Sequence, residues 1–301
     1  KHLEPFSTEV EIIDHIPAVH YDNYYDSFEH MMRDYQKDIV EKCLNSKLGI
    51  IKAATNAGKS YPIQSIAKTC ESCGVVTLIV VHNQLLYTQL KKSLSSHTEV
   101  GYIESTKMFL APTTIAMEAT LFNRYTKVDA IFEYLQNVQC LLIDEVHRAG
   151  GNRYQKVING MPNLVMKIGF SGTPLDGSQE SALNVEGTFG DILVDITNQE
   201  MIAAGVSSET KVVVFRIPYI MSKCSYKSAK ELVYKSTRRL RKLVEIIEQG
   251  DREILIVVQE LKHGEWLKES LSDYDIPILH GKVKQKDKEK MLEAFYAGEY
   301  K

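Results

Sequence analysis

The sequence lacks the long apolar runs that membrane-spanning helices require. None of its 301 residues fall in an unbroken apolar stretch of roughly 18 residues, so we expect no membrane span. The opening residues, Lys1 to Pro5, also lack the apolar core of a secretory signal peptide. The chain does not begin with Met, which suggests a fragment or a lost beginning.

Cysteine is scarce and odd in number. The chain has five cysteines, a count that favours a reducing compartment over a disulfide framework. Two of them form the single spacing Cys70-Glu-Ser-Cys73. A zinc site would need a second ligand pair, and none is near in sequence. We therefore favour the end of a helix before the apolar segment Val75–Val81 over metal binding.

An excess of positive charge is also missing. The net charge of −3 does not indicate a nucleic-acid binder, although a narrow basic groove can exist on an acidic body. With 301 residues, 44% of them hydrophobic and 25% charged, the composition is that of an ordinary globular protein of about two domains. No short internal repeat or low-complexity tract is visible.

The most informative segment present is a phosphate loop, Ala53-x4-Gly58-Lys59-Ser60. Gly58 lets the backbone approach phosphates, and the following helix N-terminus adds an anion site. Lys59 would lie at the β- and γ-phosphates, and the Ser60 hydroxyl would bind magnesium. The predicted cofactors are ATP and Mg²⁺, and the predicted nucleotide-binding residues within the loop are Thr55, Asn56, Ala57, Gly58, Lys59 and Ser60.

A carboxylate pair, Asp144-Glu145, ends the apolar run Val138–Ile143. Asp144 would hold magnesium and Glu145 would orient the attacking water, since phosphoryl transfer depends mainly on positioning and charge neutralisation. Such a pair also occurs as an ordinary strand cap. The separation from Lys59, 144 − 59 = 85 positions, leaves room for intervening α/β units and favours the functional interpretation.

Apolar strands alternate with helical patterns along the chain, which predicts an α/β fold with a parallel sheet. Ligands of such sheets bind at the carboxyl ends of strands, where the phosphate loop, His82, Asp144 and Ser171 should lie. In the first part we expect a helix from Met32, strands at 48–53, 75–81, 99–103, 109–113, 138–143 and 164–170, and helices at 59–69 and from Asn83. Residues 174–210 read as connecting structure. A second block, from Lys211, should have helices at 229–249, at 262–271 and through Phe295, with strands at 211–215, 253–258 and 276–279.

Three further segments allow two interpretations each. Arg33 and Gln36 could recognise adenine, or could simply start an amphipathic helix. Ser171 and Thr173 could link a carboxylate or His147 to a neighbouring domain, or could form an ordinary Gly-Thr-Pro turn. The basic run 227–242 could bind phosphates or form a solvated helix face.

Five motifs, taken together and in order, resemble those of superfamily 2 helicases of the DExH type. They are Arg33-x-Tyr35-Gln36, the phosphate loop, Val80-Val81-His82-Asn83-Gln84-Leu85, Asp144-Glu145-Val146-His147 and Ser171-Gly172-Thr173-Pro174. Within the superfamily, Gly169–Gly177 and Thr188–Ile192 resemble the phage branch-migration helicases of the UvsW type.

The resemblance implies two RecA-like parallel-sheet domains, at 31–208 and 209–301, with ATP in the cleft between them. Residues 1–30 would be a leader or the remnant of another domain. Catalytic roles would fall to Lys59, Asp144, Glu145 and His147, adenine recognition to Arg33 and Gln36, and coupling to Ser171 and Thr173. The implied nucleic-acid track comprises His82, Asn83, Gln84, Thr113, Thr114, Gln259, His280 and Gly281, with Ser60 and Asp144 as the metal ligands.

The chain departs from the superfamily 2 pattern in one respect. Motifs V and VI of that family are missing, because the chain stops soon after Phe295. The second domain therefore looks truncated, and its missing arginines predict that residues 1–301 bind ATP but hydrolyse it poorly. Removal of such an arginine finger costs a factor on the order of 10³ or more. Equal ATPase rates for residues 1–301 and a longer natural form would refute this expectation.

The resemblance implies an ATP-dependent DNA helicase or translocase that remodels branched or partly single-stranded DNA with little sequence preference. Recombination proteins are candidate partners, no membrane is expected, and the cytoplasm, the host's if the gene is a phage's, is the expected location. The alternatives are a superfamily 2 motor acting on RNA or in a restriction complex, and a nucleotide-dependent switch without motor activity.

Overall fold

The computed structural model describes residues 32–54, 56–96, 99–217, 225–250 and 254–300. The chain divides into two compact units, Lys1–Thr210 and Lys211–Lys301, which are described separately below. The predicted leader at 1–30 and Thr55 of the phosphate loop lie outside the described residues. Over the described ranges, no helix is both long enough and apolar enough to cross a bilayer.

The first unit is built on one eight-stranded sheet in the order β4-β3-β5-β2-β6-β7-β1-β8. Neighbouring strands are parallel except for the short β3–β4 pair, which is antiparallel. The predicted α/β class is therefore confirmed. The strands are β1 (Leu48–Ala53), β2 (Thr77–Val81), β3 (Gly101–Ile103), β4 (Met108–Phe109), β5 (Thr113–Met117), β6 (Cys140–Asp144), β7 (Met166–Ser171) and β8 (Ile192–Ile196).

Helices cover both faces of this sheet, as parallel sheets require. One face carries α1 (Asp34–Ser46), α2 (Ser60–Ser72) and α3 (Gln84–Ser95). The other carries α4 (Glu118–Arg124), α5 (Asp129–Asn137), α6 (Asn152–Asn159) and α7 (Gln179–Phe189). A short α8 (Asn198–Ala203) follows β8, and a 3₁₀ turn (Val146–Gly150) follows β6.

Successive strand residues supply the two cores alternately. Ile51 and Ile79 pack in the core under α1 to α3, whereas Ile50 and Leu78 pack in the core on the opposite face. All four are fully buried. Because both faces are covered, β2 is apolar at nearly every position, which is why its sequence was recognisable as a strand.

In the first unit the helices α4, α5 and α6 were not predicted, and two further segments differ from the predictions. The expected strand at 109–113 is wrong, since β4 ends at Phe109 and β5 begins only at Thr113. The intervening Pro112 has no N–H group to donate to a neighbouring strand. The segment 174–210 is not merely connecting, since it contains α7, β8 and α8. Phe189 of α7 is fully buried, and Thr197 forms a capping box with Glu200.

The second unit contains four helices among its described residues: α9 (Tyr226–Tyr234), α10 (Thr237–Glu248), α11 (Leu261–Ser270) and α12 (Gln285–Tyr296). The single helix expected at 229–249 is broken, because Ser236 caps α10 by accepting a bond from the Arg239 amide. The strands expected at 211–215, 253–258 and 276–279 are not formed among the residues described there.

Candidate functional site

The phosphate loop connects β1 to α2 at the carboxyl edge of the sheet. Asn56 and Gly58 both have positive φ angles, 70° and 68°, in the left-handed region. Asn and Gly are the residues that tolerate this region best, so the local sequence permits the tight loop. Ser60 begins α2, a helix of 13 residues whose free N–H groups face the loop.

Side chains from the start of α1 form hydrogen bonds with the backbone of the phosphate loop. The Gln36 amide nitrogen donates to the carbonyl oxygens of Ala57, at 2.9 Å, and Gly58, at 3.1 Å. The Tyr35 hydroxyl donates to the same Ala57 carbonyl at 2.9 Å. A Cβ atom on Gly58 would lie 2.5 Å from the Gln36 nitrogen, so glycine is needed here for space as well as for its φ angle.

Gln36 is therefore engaged with the protein itself. It is 1% exposed, and its side-chain oxygen accepts a bond from the Arg33 amide at 2.9 Å. The Arg33 guanidinium donates to the Tyr35 hydroxyl at 3.1 Å. These contacts brace the phosphate loop, whereas adenine recognition by Arg33 and Gln36 stays a prediction.

Asp144 is the last residue of β6 and is 4% exposed. Burial, and next the adjacent Glu145 carboxylate, raise the pKa of Asp144, and the opposing effects of Lys59 and His82 do not outweigh them. Two adjacent carboxylates, one of them buried, favour a bound cation. Asp144 and the Ser60 hydroxyl are oxygen donors of the kind Mg²⁺ takes beside substrate phosphates, so the residues fit the implied metal.

The backbone after Asp144 is unusual. Glu145 has φ 59° and ψ 55°, a left-handed conformation that costs a non-glycine residue about 1 kcal/mol or more. The bend directs the chain into the 3₁₀ turn, which packs tightly on β7. A Cβ atom on Gly169 would lie 2.3 Å from a Val146 methyl group, so only glycine at this position allows the approach.

A small hydrogen-bond network joins this turn to the end of β7. The Ser171 hydroxyl donates to Glu145 Oε2 at 3.1 Å and accepts from the Thr173 amide at 3.2 Å. His147 Nδ1 lies 3.0 Å from the Ser171 oxygen and 3.3 Å from Glu145 Oε2. The serine hydroxyl has a single hydrogen, which it donates to Glu145 in a hydrogen bond. His147 Nδ1 must therefore be the donor in its contact with Ser171. The predicted coupling residues Ser171 and Thr173 are thus gathered around Glu145.

Sequence reasoning missed two further ion pairs along the same edge. Arg148 forms a two-point contact with Glu118, at 2.7 Å and 3.2 Å, at the carboxyl end of β5. Lys91 pairs with Glu104 at 2.7 Å beyond the end of β3. The position of Glu118 directly after an apolar run was the only available signal for its place at the edge.

The residues predicted for the nucleic-acid track of the first unit fall in two places. His82, Asn83 and Gln84 lie beyond β2, where Asn83 caps α3 by accepting a hydrogen bond from the Leu85 amide. Thr113 and Thr114 are fully buried at the amino end of β5, on the edge opposite the phosphate loop. Buried side chains at that edge cannot contact nucleic acid beside ATP, so those two assignments are wrong.

The second unit holds the other predicted track residues. Gln259 precedes α11 and is exposed, while His280 and Gly281 lie in a turn where His280 Nδ1 accepts a bond from the Lys282 amide at 3.2 Å. The described basic residues of α10 include Arg239, which is exposed. Both the track and the phosphate-binding interpretation of the basic run stay predictions.

The chain is similar to known proteins. Residues 29–176 match the family described as type III restriction enzyme, res subunit. The ATP-dependent DNA helicase uvsW of Enterobacteria phage T4 is 25% identical over 251 residues, which cover 76% of this chain and 49% of the phage protein. IRC3 of Saccharomyces cerevisiae, whose name describes an ATP-dependent helicase, is 26% identical over 168 residues, 48% of this chain and 23% of the yeast protein.

Among solved structures, the UvsW helicase from bacteriophage T4 has a TM-score of 0.46 and 26% sequence identity, covering 53% of this chain and 58% of that chain. The expected likeness to superfamily 2 helicases is confirmed by the family match and the sequence relatives. The chain spans 49% of the phage T4 relative and 23% of the yeast one.

Proposed function

We propose that this chain is an ATP-dependent motor that remodels branched DNA, on the basis of the match of residues 29–176 to the family described as type III restriction enzyme, res subunit. The observation that carries the proposal is the Ser171 network, which connects the carboxylate beside the phosphate loop to the next motif in the chain.

The first unit would bind ATP and prepare it for hydrolysis. The loop amides and Lys59 would bind the phosphates, and Ser60 and Asp144 would hold a magnesium ion, which would neutralise phosphate charge. Glu145, fixed by Ser171 and His147, orients the attacking water. These roles rest on the motif positions and on the proximity of their side chains at one edge of the sheet.

Movement of Thr173 and His147 would then transmit the state of the nucleotide. Both contact the Ser171 hydroxyl, which is hydrogen-bonded to Glu145. A displacement of the Glu145 carboxylate would therefore move the chain that follows β7. DNA is the proposed substrate because the phage T4 relative is named an ATP-dependent DNA helicase. Branched DNA is the finer proposal and follows the phage-type motifs around Gly169–Gly177.

A substrate panel tests this function. ATPase rates are measured with no nucleic acid, plain duplex, a fork, a four-way junction and single-stranded RNA of matched length. We expect the fork and the junction to stimulate most and RNA least. In Ser171→Ala, DNA stimulation should fall by about 10-fold or more, since a hydrogen bond to a charged group contributes about 1.5–3 kcal/mol, whereas basal ATPase should fall less.

A matched control is Ser95→Ala, which changes an exposed serine on α3 and should behave as the wild type. Stimulation by RNA but not by DNA would contradict the proposal. A Lys59→Ala protein that retains full biological activity would instead favour a nucleotide-independent scaffold or switch.

The family description supports a second candidate, the motor of a restriction complex. Such a motor would be stimulated equally by plain and branched duplexes, because it translocates along DNA rather than processing junctions. Equal stimulation by the duplex and the junction would favour this candidate over branch remodelling.

A further inference from the structure

His82 has an unsatisfied polar atom next to the carboxylate proposed to hold magnesium. Its Nδ1 atom is buried and has no hydrogen-bond partner among the described residues. The same atom lies 3.6 Å from Oδ2 of Asp144. The Asp144 side chain is 6% exposed and the imidazole is 33% exposed, so the two groups face each other inside the edge of the sheet.

The sheet itself fixes this proximity. Strands β2 and β6 are parallel neighbours, with Val80 paired to Ile143. His82 is two residues beyond Val80 and Asp144 is one residue beyond Ile143, so both leave the sheet side by side. The approach therefore follows from strand pairing rather than from a mobile surface loop.

The separation is slightly too long for a hydrogen bond, whose usual N···O distance is about 2.7–3.2 Å. A shift of about half an ångström would form it and would satisfy the buried nitrogen. Contacts of this kind in nucleotide-free sites often tighten when the substrate complex forms. The neutral imidazole with its proton on Nδ1 suffices as the donor.

We propose that His82 is a positioning residue that donates its Nδ1–H to Asp144 Oδ2 and orients the other carboxylate oxygen towards magnesium. This rests on the proposed function, in which Asp144 is a metal ligand. His82 also immediately precedes Asn83, the cap of α3, and Gln84, so the contact connects the proposed nucleic-acid track directly to the metal-binding carboxylate. The imidazole itself contacts neither nucleotide nor metal.

The decisive measurement is the magnesium dependence of nucleotide binding, without DNA and without turnover. The affinity for a fluorescent ADP analogue is titrated against Mg²⁺ in the wild type and in His82→Ala, His82→Asn and His82→Gln. Loss of the donor should raise the half-saturating Mg²⁺ concentration about 10-fold or more, the usual effect of removing a group that orients a metal ligand. The metal-free affinity, measured with chelator present, should not change.

The two amide variants separate positioning from packing. The Asn side-chain nitrogen occupies nearly the place of His Nδ1, whereas the Gln nitrogen occupies nearly the place of Nε2. We expect His82→Asn to restore the Mg²⁺ dependence to within about 3-fold of the wild type and His82→Gln not to restore it; 3-fold is about 0.6 kcal/mol. Equal behaviour of the two variants would overturn the proposal, even if His82→Ala does not fold.

Controls distinguish failure of this inference from failure of the proposed function. Thr88→Ala, an exposed change on α3, should leave the Mg²⁺ dependence at the wild-type value. If the wild type shows no Mg²⁺-dependent nucleotide binding at all, the proposed function fails. If the wild type shows it and His82→Ala keeps the same half-saturation but binds DNA more weakly, His82 belongs to the track alone and this inference is refuted.

Discussion

The sheet edge that carries the phosphate loop has two parts whose carboxylates have different partners. One part is the end of β6, and the other comprises the ends of β3 and β5. At the end of β6, Asp144 and Glu145 face the imidazole nitrogens of His82 and His147, at 3.6 Å and 3.3 Å. Histidine is not a permanent cation at neutral pH, and among the described residues neither carboxylate forms an ion pair with a lysine or arginine. Lys59 opposes, but does not cancel, the effect of burial on the pKa of Asp144.

In the other half each carboxylate forms an ion pair with a lysine or an arginine. Beyond β3 and β5, Glu104 pairs with Lys91 and Glu118 pairs with Arg148, each at 2.7 Å at the shortest contact. The hydrogen bond from Lys91 holds the pKa of Glu104 below its ordinary value. The half at β6 is therefore where the proposed magnesium ion would meet uncompensated negative charge, whereas in the other half the charges stabilise the fold.

The largest effect should follow from Glu145→Gln. The amide keeps the size of the side chain but cannot activate water, so we expect ATPase activity to fall by a factor on the order of 100 or more. Nucleotide affinity should stay within about 3-fold, a difference of about 0.6 kcal/mol. The matched change Glu118→Gln, in the compensated half, should leave the ATPase rate within about 2-fold. Equal losses in both variants would remove the distinction between the halves.

Asp144→Asn should give opposite effects on function and on stability. Removing the carboxylate should abolish the Mg²⁺-dependent gain in nucleotide affinity. It should also raise the Tm of the nucleotide-free protein, because a buried carboxylate with a raised pKa destabilises the fold at neutral pH. Each kcal/mol corresponds to about 2–4 °C for a domain of this size. Calorimetry checks this, and an unchanged or lowered Tm would contradict the interpretation of uncompensated charge.

Arg148→Met should reduce stability without reducing ATPase activity. The variant leaves Glu118, whose side chain is 16% exposed, without its two-point partner. The arginine side chain is 45% exposed, so solvent weakens the pair and the expected loss is about 1 kcal/mol. Chemical denaturation measures it, with Arg153→Met, an exposed arginine on α6, as the control. A large loss of ATPase activity would mean that Arg148 belongs to the catalytic half.

Lys91→Met should have the smallest effect and the clearest pH dependence. Because the pKa of Glu104 is lowered in the folded state, the pair stabilises the protein above the ordinary carboxyl pKa of 4.5. That stability is lost as the pH falls through the lowered pKa. At neutral pH we expect a loss below about 1 kcal/mol, since Glu104 is partly exposed.

In acid the difference between wild type and Lys91→Met should shrink to what remains of the contact between Lys91 and the Tyr102 ring, where the nitrogen lies 3.5 Å from the ring centroid. Lys92→Met, a change of the exposed neighbouring lysine, is the control and should show no such pH dependence. A difference that does not change with pH would indicate that Lys91 acts through packing alone.

Elements whose formation depends on their own residues and immediate neighbours in sequence could be predicted, whereas those that depend on distant contacts could not. The strand 48–53 was predicted with its observed bounds because β1 is apolar and immediately precedes the loop. The strand β8 was missed, since it lies at the sheet edge and only Val194 and Ile196 of its five residues are buried, so it lacks the continuous apolar run of the central strands. In the second unit, the apolar run that includes Val212 and Val214 has the composition of a strand, yet no strand forms among the described residues there.

By itself the sequence determined the phosphate loop, the carboxylate pair and their attachment to strand ends. Those features depend on contiguous residues whose chemistry and backbone preferences act locally, such as Asn56 and Gly58 with their positive φ angles. Only the tertiary structure decided which distant side chains meet: Gln36 on the loop carbonyls, Ser171 on Glu145, and His82 facing Asp144. Strand order and register set these encounters, and both arise from packing between segments that a local pattern does not specify.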